Sequence, residues 1–285
     1  MKVLVTGGTG HIGGAIRRYL QVNGWDAVTV SRTGDIRADL TQTDFADRVA
    51  HAVGRCDAIV HCAANLSKDD HEFGLSLVNG LGTQLVIDTA FRTGARCLVY
   101  LSSTHMIGRP VHLPVDENHP ANPLSAYHAS KLYGEHLVRL ADRDGLKTVS
   151  LRTTSPIGPG TPPGRIFSEF IGRARRDEPL VLAGQGGRKQ DYVDVRDIAR
   201  AVAQSIDANA SGVFNLASGR AVSNRDFASR CISVLKSRSA ITYSGTPDPD
   251  EDLAWVVSIT KARDRLGYEP TYTLEDSIEA FAASL

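Results

Sequence analysis

A glycine-rich segment near the N-terminus is the feature that most constrains the fold of this chain. The segment "TGGTGHIGG", residues 6–14, follows the apolar run "KVLV" directly and leads into a helical pattern. Three glycines at TGxxGxxG spacing permit a tight turn, a close approach of phosphate to the backbone, and close packing of helix on sheet. The free N–H groups of the helix favour an anion. The segment therefore predicts a dinucleotide-binding loop. The loop residues expected to contact the cofactor are Gly7, Gly10, His11, Ile12 and Gly13.

The rest of the first half alternates short apolar runs with helical patterns. The runs "DAVTVS", "CDAIVHCA", "RCLVYLSS" and "KTVSLRTT" lack the polar alternation of a half-exposed strand. Continuous apolar strands separated by helices are typical of a parallel sheet that is covered on both faces. The sequence predicts an α/β fold, a Rossmann-type doubly wound parallel sheet with a smaller C-terminal substrate lobe.

A change in amino-acid composition marks the expected domain boundary. The segment "SPIGPGTPPGR", which is rich in proline and glycine, follows the last strand of the first half and indicates a loop that leaves the sheet. We expect residues 1–155 to form the dinucleotide-binding domain, with residues 190–217 returning to it. Residues 156–189 and 218–285 are expected to form the substrate lobe.

Composition excludes several classes of partner. The net charge is zero, so no basic surplus suits nucleic acid or an anionic membrane. The longest apolar runs are too short for a bilayer span, and "MKVLVTGG" has no signal-peptide organisation. Four cysteines are widely spaced and nine histidines form no HxH or HxxxH pair. We expect free thiols, no metal, a cytoplasmic location and a small-molecule substrate.

A tyrosine and a lysine mark a candidate acid–base site. Tyr127 and Lys131 in "SAYHASKLYGE" stand four residues apart, which places them on one helical face. Lowering a phenol pKa from about 10 toward 7 requires about 4 kcal/mol. One cation at about 4 Å supplies roughly that much at an effective dielectric of about 20. Tyr127 can therefore act as a general acid–base that is tuned by Lys131.

A run of hydroxyl side chains ends the strand "CLVYL". Ser102, Ser103 and Thr104 follow this strand, and ligands of parallel sheets bind at the carboxyl ends of the strands. A hydroxyl at this edge could hydrogen-bond the oxygen that reacts.

With these motifs in order, the sequence resembles the extended short-chain dehydrogenase/reductases, a family of nucleotide-sugar epimerases, dehydratases and ketoreductases. The similarity covers essentially the whole chain. It rests on "VLVTGGTGHIG", "IVHCAA", "YLSSTHMIG", "AYHASKLYGE", "LRTTSPIGPG", "QDYVDVRDIARAV" and "ITKARDRLGYEPTYTLEDSI".

The resemblance implies roles for particular residues. It implies Ser103 as the catalytic serine, Tyr127 as the acid–base and Lys131 as the residue that binds the cofactor ribose and tunes the tyrosine. It also implies a homodimer formed through two helices of each subunit. Further cofactor contacts implied by the resemblance are Asp39, Leu40, Ala63, Ala64 and Asn79.

The expected diphosphate clamp departs from the family pattern. Gln190 stands where the family usually has an arginine, and the acidic run "TPDPDED" replaces a segment that often reads "RPGD". Arg188, Lys189 or Arg165 could substitute. The candidate substrate contacts are Thr104, Arg165, Arg188 and Gln190.

Two residues at the end of the second strand bear on the choice of cofactor. Ser31 stands where an NAD-binding relative usually carries an aspartate, and Arg32 follows it. Serine removes the repulsion of a 2′-phosphate, and the guanidinium offers it a planar donor fork. We therefore expect NADP(H) to be favoured over NAD(H).

The expected function is hydride transfer at a hydroxyl or keto carbon of a sugar, sugar nucleotide or related small molecule, as a reductase or dehydrogenase. An epimerase that recycles one bound cofactor is the alternative. A non-catalytic NADP-binding sensor or scaffold is a second alternative, although it would tend to lose the Tyr–Lys pair. A dehydratase would normally need an acid–base pair after the serine, which Thr104 and His105 do not provide.

Overall fold

The computed structural model describes all residues, 1–285. Its strands are β1 (Lys2–Thr6), β2 (Asp26–Ser31), β3 (Ile36–Arg37), β4 (Ala58–His61), β5 (Cys97–Ser103), β6 (Lys147–Thr153), β7 (Ser155–Ile157), β8 (Leu180–Leu182), β9 (Lys189–Asp194), β10 (Gly212–Leu216), β11 (Ala221–Ser223) and β12 (Ile241–Tyr243). Its helices are α1 (His11–Val22), α2 (Phe45–Val53), α3 (Phe73–Leu75), α4 (Gly82–Thr93), α5 (Ala126–Leu140), α6 (Ile166–Arg175), α7 (Val195–Asp207), α8 (Asn224–Leu235), α9 (Thr260–Leu266) and α10 (Leu274–Ala283). A π-helical segment, Ser76–Leu81, joins α3 to α4, and a 3-10 turn, Thr104–Ile107, follows β5.

Seven parallel strands form the central sheet in the order β10-β6-β5-β4-β1-β2-β3. Helix α1 packs with α7 on one face, while α2, α4 and α5 pack together on the other. The strand order reverses beside β1, and such a switch point leaves a crevice at the carboxyl ends of the strands. The predicted doubly wound α/β fold is confirmed.

The buried strands explain why the sheet needs helices on both faces. The middle of β1, from Val3 to Val5, is inaccessible to solvent. Val3 and Val5 join the core under α1 and α7, whereas Leu4 joins the core under α2, α4 and α5. Alternate side chains of one strand therefore enter two separate cores.

A third core lies in the C-terminal half, between α6, α8 and α10. Its centre is a group of aromatic rings around Phe227, which stacks on Phe167 and Phe170 at 5.8 Å between centroids. Two small sheets, β11-β9-β7 and β12-β8, border it.

Part of the segment after residue 218 packs elsewhere. Trp255, Val257, Ile259 and Tyr268 belong to the larger core beside α7 rather than to the core around Phe227. The division of the chain into two domains stays a prediction. None of the helices combines the length and the apolar character that crossing a membrane would need.

Phe227→Ala should destabilise the protein by about 3–5 kcal/mol, because it removes the ring on which the third core is built. Phe73→Ala is the matched control, since Phe73 is 73% exposed and should cost less than about 0.5 kcal/mol. Urea unfolding of both variants measures the difference. Equal losses would contradict the description of the core.

Candidate active site

The glycine loop has the shape that a dinucleotide pyrophosphate requires. Gly7 has a φ of +66°, and a Cβ there would lie 2.7 Å from the Ala63 backbone nitrogen. A Cβ at Gly13 would lie 2.3 Å from the Gly7 carbonyl oxygen, so α1 can approach the loop only without one. Gly10 precedes α1 and provides no side-chain cap. The first N–H groups of the helix thus remain available to phosphate oxygens.

Further predicted cofactor residues surround this loop at the switch point. Ala63 and Ala64 lie just beyond β4, after Cys62, and the Ala63 N–H donates to the Thr6 hydroxyl at 3.3 Å. Asp39 accepts hydrogen bonds from the Thr41 N–H and hydroxyl at 2.9 and 2.8 Å. Leu40 is buried at the edge of the core beneath α2 and α4.

Asn79 links the cofactor side of the site to the helix that carries the tyrosine and lysine. Its amide oxygen accepts from the Asn65 N–H at 2.7 Å, and its amide nitrogen donates to the Ser130 hydroxyl at 2.8 Å. Because Ser130 precedes Lys131, Asn79 fixes the loop after β4 against α5.

Helix α5, which carries Tyr127, packs on β5 and on the 3-10 turn that follows Ser103. The Ser103 hydroxyl oxygen accepts from the His105 N–H at 3.2 Å. The rings of His105 and His128, which follow Ser103 and Tyr127 closely in sequence, stack at 6.0 Å. The turn that follows Ser103 and the first turn of α5, which carries Tyr127, therefore lie against each other near the carboxyl end of β5.

Lys131 is buried and faces an aromatic ring. Its ammonium lies 4.3 Å from the centroid of the Tyr100 ring, a cation–π contact. Burial lowers the pKa of Lys131 to about 8, against the opposing influence of Cys62 and the Glu135 carboxylate. A Cβ at Gly134 would lie 2.3 Å from the Tyr100 hydroxyl, so this glycine lets α5 approach β5.

The pKa of Tyr127 shifts in the direction opposite to the one expected. Burial raises the pKa of Tyr127 to about 12, and only the Arg165 guanidinium works against that rise. Removal of the phenolate from water outweighs the attraction of a cation. The chain alone therefore keeps Tyr127 protonated at neutral pH, as a proton donor.

A buried ion pair beneath the site is absent from the sequence-based predictions. Arg152 of β6 donates to Glu135 of α5 through Nε and Nη2, at 3.1 and 2.7 Å. Both side chains are less than 10% exposed. Ser102 donates to the same carboxylate at 3.0 Å. The spacing of Glu135, four residues after Lys131 on one helical face, is the signal that could have found it.

A cleft of about 180 Å³ opens beside the 3-10 turn that follows Ser103. His105 lines it and packs against Trp255 at 4.5 Å between ring centroids. Burial lowers the pKa of His105 to about 4 and also lowers that of His128, so both rings are neutral at pH 7. The lining residues are His105, Gly108, Arg109, Leu124, His128, Arg188, Gln190, Asp250, Leu253 and Trp255.

The candidate substrate residues occupy different places. Arg188 and Gln190 line the cleft, and the Gln190 amide oxygen accepts from the Ser155 hydroxyl at 3.0 Å. Arg165 precedes α6 and is exposed. Thr104 is fully buried and donates to the Arg152 carbonyl at 3.2 Å, so it faces the protein interior instead.

This fold and site define a dinucleotide-binding oxidoreductase of the short-chain type. The model of the NAD dependent epimerase/dehydratase family matches residues 3–217, and the chain belongs to that family. The resemblance to the extended short-chain dehydrogenase/reductases is thereby confirmed. The protein is an enzyme that transfers hydride at a hydroxyl or keto carbon of a small molecule.

Individual relatives cover nearly the whole chain. A UDP-glucose 4-epimerase of Lactobacillus helveticus is 27% identical, over 99% of this chain and 96% of the relative. A dTDP-glucose 4,6-dehydratase of Streptomyces niveus is also 27% identical, over 98% and 90%. The solved UDP-glucose 4-epimerase of Thermus thermophilus, in complex with NAD, superposes with a TM-score of 0.87 at 26% identity, over 100% and 98% of the chains.

The prediction that NADP(H) is favoured is wrong. The matched family is NAD dependent, and the similar solved structure holds NAD. Ser31 accepts from the Thr33 N–H at 3.2 Å, so its hydroxyl is engaged in its own turn. Arg32 is exposed and helps to lower the pKa of Asp39, after the hydrogen bonds from Thr41. The charge of this arginine is therefore shared with a nearby carboxylate and does not by itself select a phosphate.

Glu135→Gln should move the alkaline limb of the pH–activity profile to lower pH. The Glu135 carboxylate raises the pKa of Lys131 against burial, so its loss lets that pKa fall below about 8. Lys131 then loses its charge at a lower pH. The variant should also lose stability by about 3–5 kcal/mol, since Arg152 is left buried and unpaired.

The double variant Glu135→Gln/Arg152→Met controls for the stability loss, because it leaves no unpaired buried charge. Its alkaline limb should be displaced in the same direction. A limb that stays in place in both variants would show that the ion pair serves only the fold.

Proposed function

We propose that this enzyme is an NAD-dependent dehydrogenase/reductase that releases its product after each hydride transfer. The observation that carries the proposal is the small cleft, about 180 Å³, that is lined by His105 and His128, which closely follow Ser103 and Tyr127 in sequence. Pockets for drug-sized ligands hold roughly 300–1,000 Å³. An epimerase must keep its oxidised intermediate bound while the sugar turns its other face to the cofactor. A narrow cleft holds the substrate in a single orientation, which favours release of the oxidised product over its rotation within the site.

The residues around the glycine loop fit NAD, as the glycine geometry indicates. In the proposed oxidation, a carbinol carbon loses hydride to NAD⁺ and its hydroxyl loses a proton, which yields a carbonyl compound, NADH and a proton. The residues proposed to hold NAD are Gly7, Gly10, His11, Ile12, Gly13, Asp39, Leu40, Ala63, Ala64, Asn79 and Lys131.

The protein groups act on the oxygen of the reacting carbon. Ser103 Oγ–H hydrogen-bonds this oxygen and fixes its position. Tyr127, which is protonated at neutral pH, donates to the oxygen of a carbonyl during reduction. In the direction of oxidation the phenolate form of Tyr127, which the positive charges of Lys131 and of bound NAD⁺ would favour, accepts the proton of the alcohol while Ser103 hydrogen-bonds the same oxygen. Lys131 is proposed to bind the cofactor ribose and to lend positive charge to the tyrosine.

Gln190 and Arg165 are proposed as substrate contacts. Gln190 lines the cleft with an amide that can bind a hydroxyl. Arg165 acts electrostatically on both Tyr127 and His105, which places its charge within reach of the site. Arg188, by contrast, is already bound to Asp248. Arg165 is therefore the better placed of the two arginines to receive a negatively charged group of a substrate.

A homodimer and a cytoplasmic location are proposed as well. Phe91 on α4 and Tyr133 and Leu140 on α5 are exposed apolar side chains on two helices that pack together. Burial of such a surface against its symmetry mate is a common way to form a dimer. All four cysteines are free thiols, which suits a reducing compartment.

Tyr127→Phe should reduce turnover by at least roughly 100-fold, in line with the usual contribution of a general acid–base, and should leave NAD affinity within about threefold of the parent. Tyr133→Phe is the matched control, because Tyr133 lies on the same helix and is 49% exposed. Steady-state kinetics and NAD titration by tryptophan fluorescence provide the two readouts. Full turnover in the Tyr127 variant would exclude the proposed role.

A further inference from the structure

An acidic segment, residues 247–252, borders the cleft through Asp250. It reads "PDPDED" and carries four carboxylates, and we refer to it as the acidic strap. Its Asp250 lines the cleft together with Arg188 and Arg109. The strap follows β12 and leads into Leu253 and Trp255, which line the cleft as well.

The strap binds the first of the two arginines through a two-pronged ion pair. Arg188 donates through Nε to Asp248 at 2.9 Å and through Nη2 to the other oxygen of the same carboxylate. The Asp248 side chain is only 3% exposed. A second carboxylate, Asp250, lies 3.7 Å from the same guanidinium. A bidentate charged pair of this kind is among the strongest polar contacts in proteins.

The strap also binds the second arginine and is anchored from behind. Arg109 donates to the Pro249 carbonyl at 3.1 Å and to Asp250. Glu251 accepts from the backbone N–H groups of Gln185 and Gly187, in the turn between β8 and β9. Several residues of the acidic strap are therefore held in place by hydrogen bonds to other segments of the chain.

These contacts leave neither of the two arginines that line the cleft, Arg109 and Arg188, free to bind a diphosphate. Any phosphate that approached Arg188 would have to displace the Asp248 carboxylate, which Arg188 already holds with two charged hydrogen bonds. The remaining groups are a pair of neutral histidines, the Gln190 amide and the Trp255 ring. Hydrogen-bonding groups around an aromatic face suit a ring that carries several hydroxyls.

We infer that the substrate is a free monosaccharide, neutral or with a carboxylate, and that the acidic strap excludes sugars linked to a nucleoside diphosphate. The inference rests on the proposed redox function for its chemistry. The exclusion of nucleotide-linked sugars concerns binding, so it can be tested without turnover.

Calorimetric titration of the full chain with UDP and UDP-glucose tests the exclusion. The variant Asp248→Asn/Asp250→Asn frees both arginines, and Asp264→Asn, an exposed aspartate of α9, is the control for loss of an acidic charge. The parent and the control should bind UDP at least roughly 100-fold more weakly than the double variant, a difference of about 2.7 kcal/mol. Thermal unfolding establishes that each variant is folded.

Tight UDP binding by the parent, abolished by Arg188→Ala, would overturn the inference. So would equal UDP affinity in the parent and a folded double variant. Turnover is assayed separately, with free hexoses and hexuronic acids against UDP- and dTDP-linked sugars, by the absorbance of reduced nicotinamide. Turnover only with nucleotide-linked sugars would contradict the proposed role of the acidic strap. No turnover with any of these sugars would contradict the proposed redox function. In that case the UDP titration alone would decide whether the acidic strap excludes nucleotides.

Discussion

The buried ion pair between Glu135 and Arg152 joins α5, which carries Tyr127 and Lys131, to the central sheet. Arg152 lies on β6, Glu135 lies on α5, and Ser102 of β5 donates to the same carboxylate. Three neighbouring elements thus meet at one charged group that water does not reach. Since Tyr127 and Lys131 lie on the same helix and Ser103 follows Ser102, we infer that the relative position of these three proposed catalytic residues depends on this pair. Such a pair contributes little net stability compared with apolar packing, yet it defines one geometry.

The cofactor prediction failed for a reason that is local and electrostatic. In the sequence, Arg32 stands as an isolated cation beside a missing aspartate. In the fold, Asp35 turns back to accept hydrogen bonds from the Thr29 N–H and hydroxyl at 2.9 and 2.8 Å, so a carboxylate lies beside β2 even though the residue that ends the strand is a serine. A short turn after a strand can bring in a charge that the linear position of one residue does not reveal.

Local sequence patterns were sufficient to predict the elements that are determined by residues close together in sequence. The glycine loop, the apolar parallel strands and the Tyr127–Lys131 spacing are set by near neighbours in sequence, and the structure contains each of the corresponding elements. The small sheets β11-β9-β7 and β12-β8, the contact of Arg188 with Asp248, and the packing of Trp255 on His105 join residues roughly 30 to 150 positions apart. Their partners could not be chosen from one sequence. The direction of the Tyr127 pKa shift could not be predicted either, because burial is a property of the whole fold.

We propose that each turnover of the oxidation releases a carbonyl product and NADH. The most direct measurement is the number of NADH molecules formed per molecule of substrate consumed, with the enzyme present in catalytic amount. We predict one NADH per substrate and no reaction without added NAD. Conversion of substrate to an isomer without net formation of NADH would contradict this account and identify an epimerase.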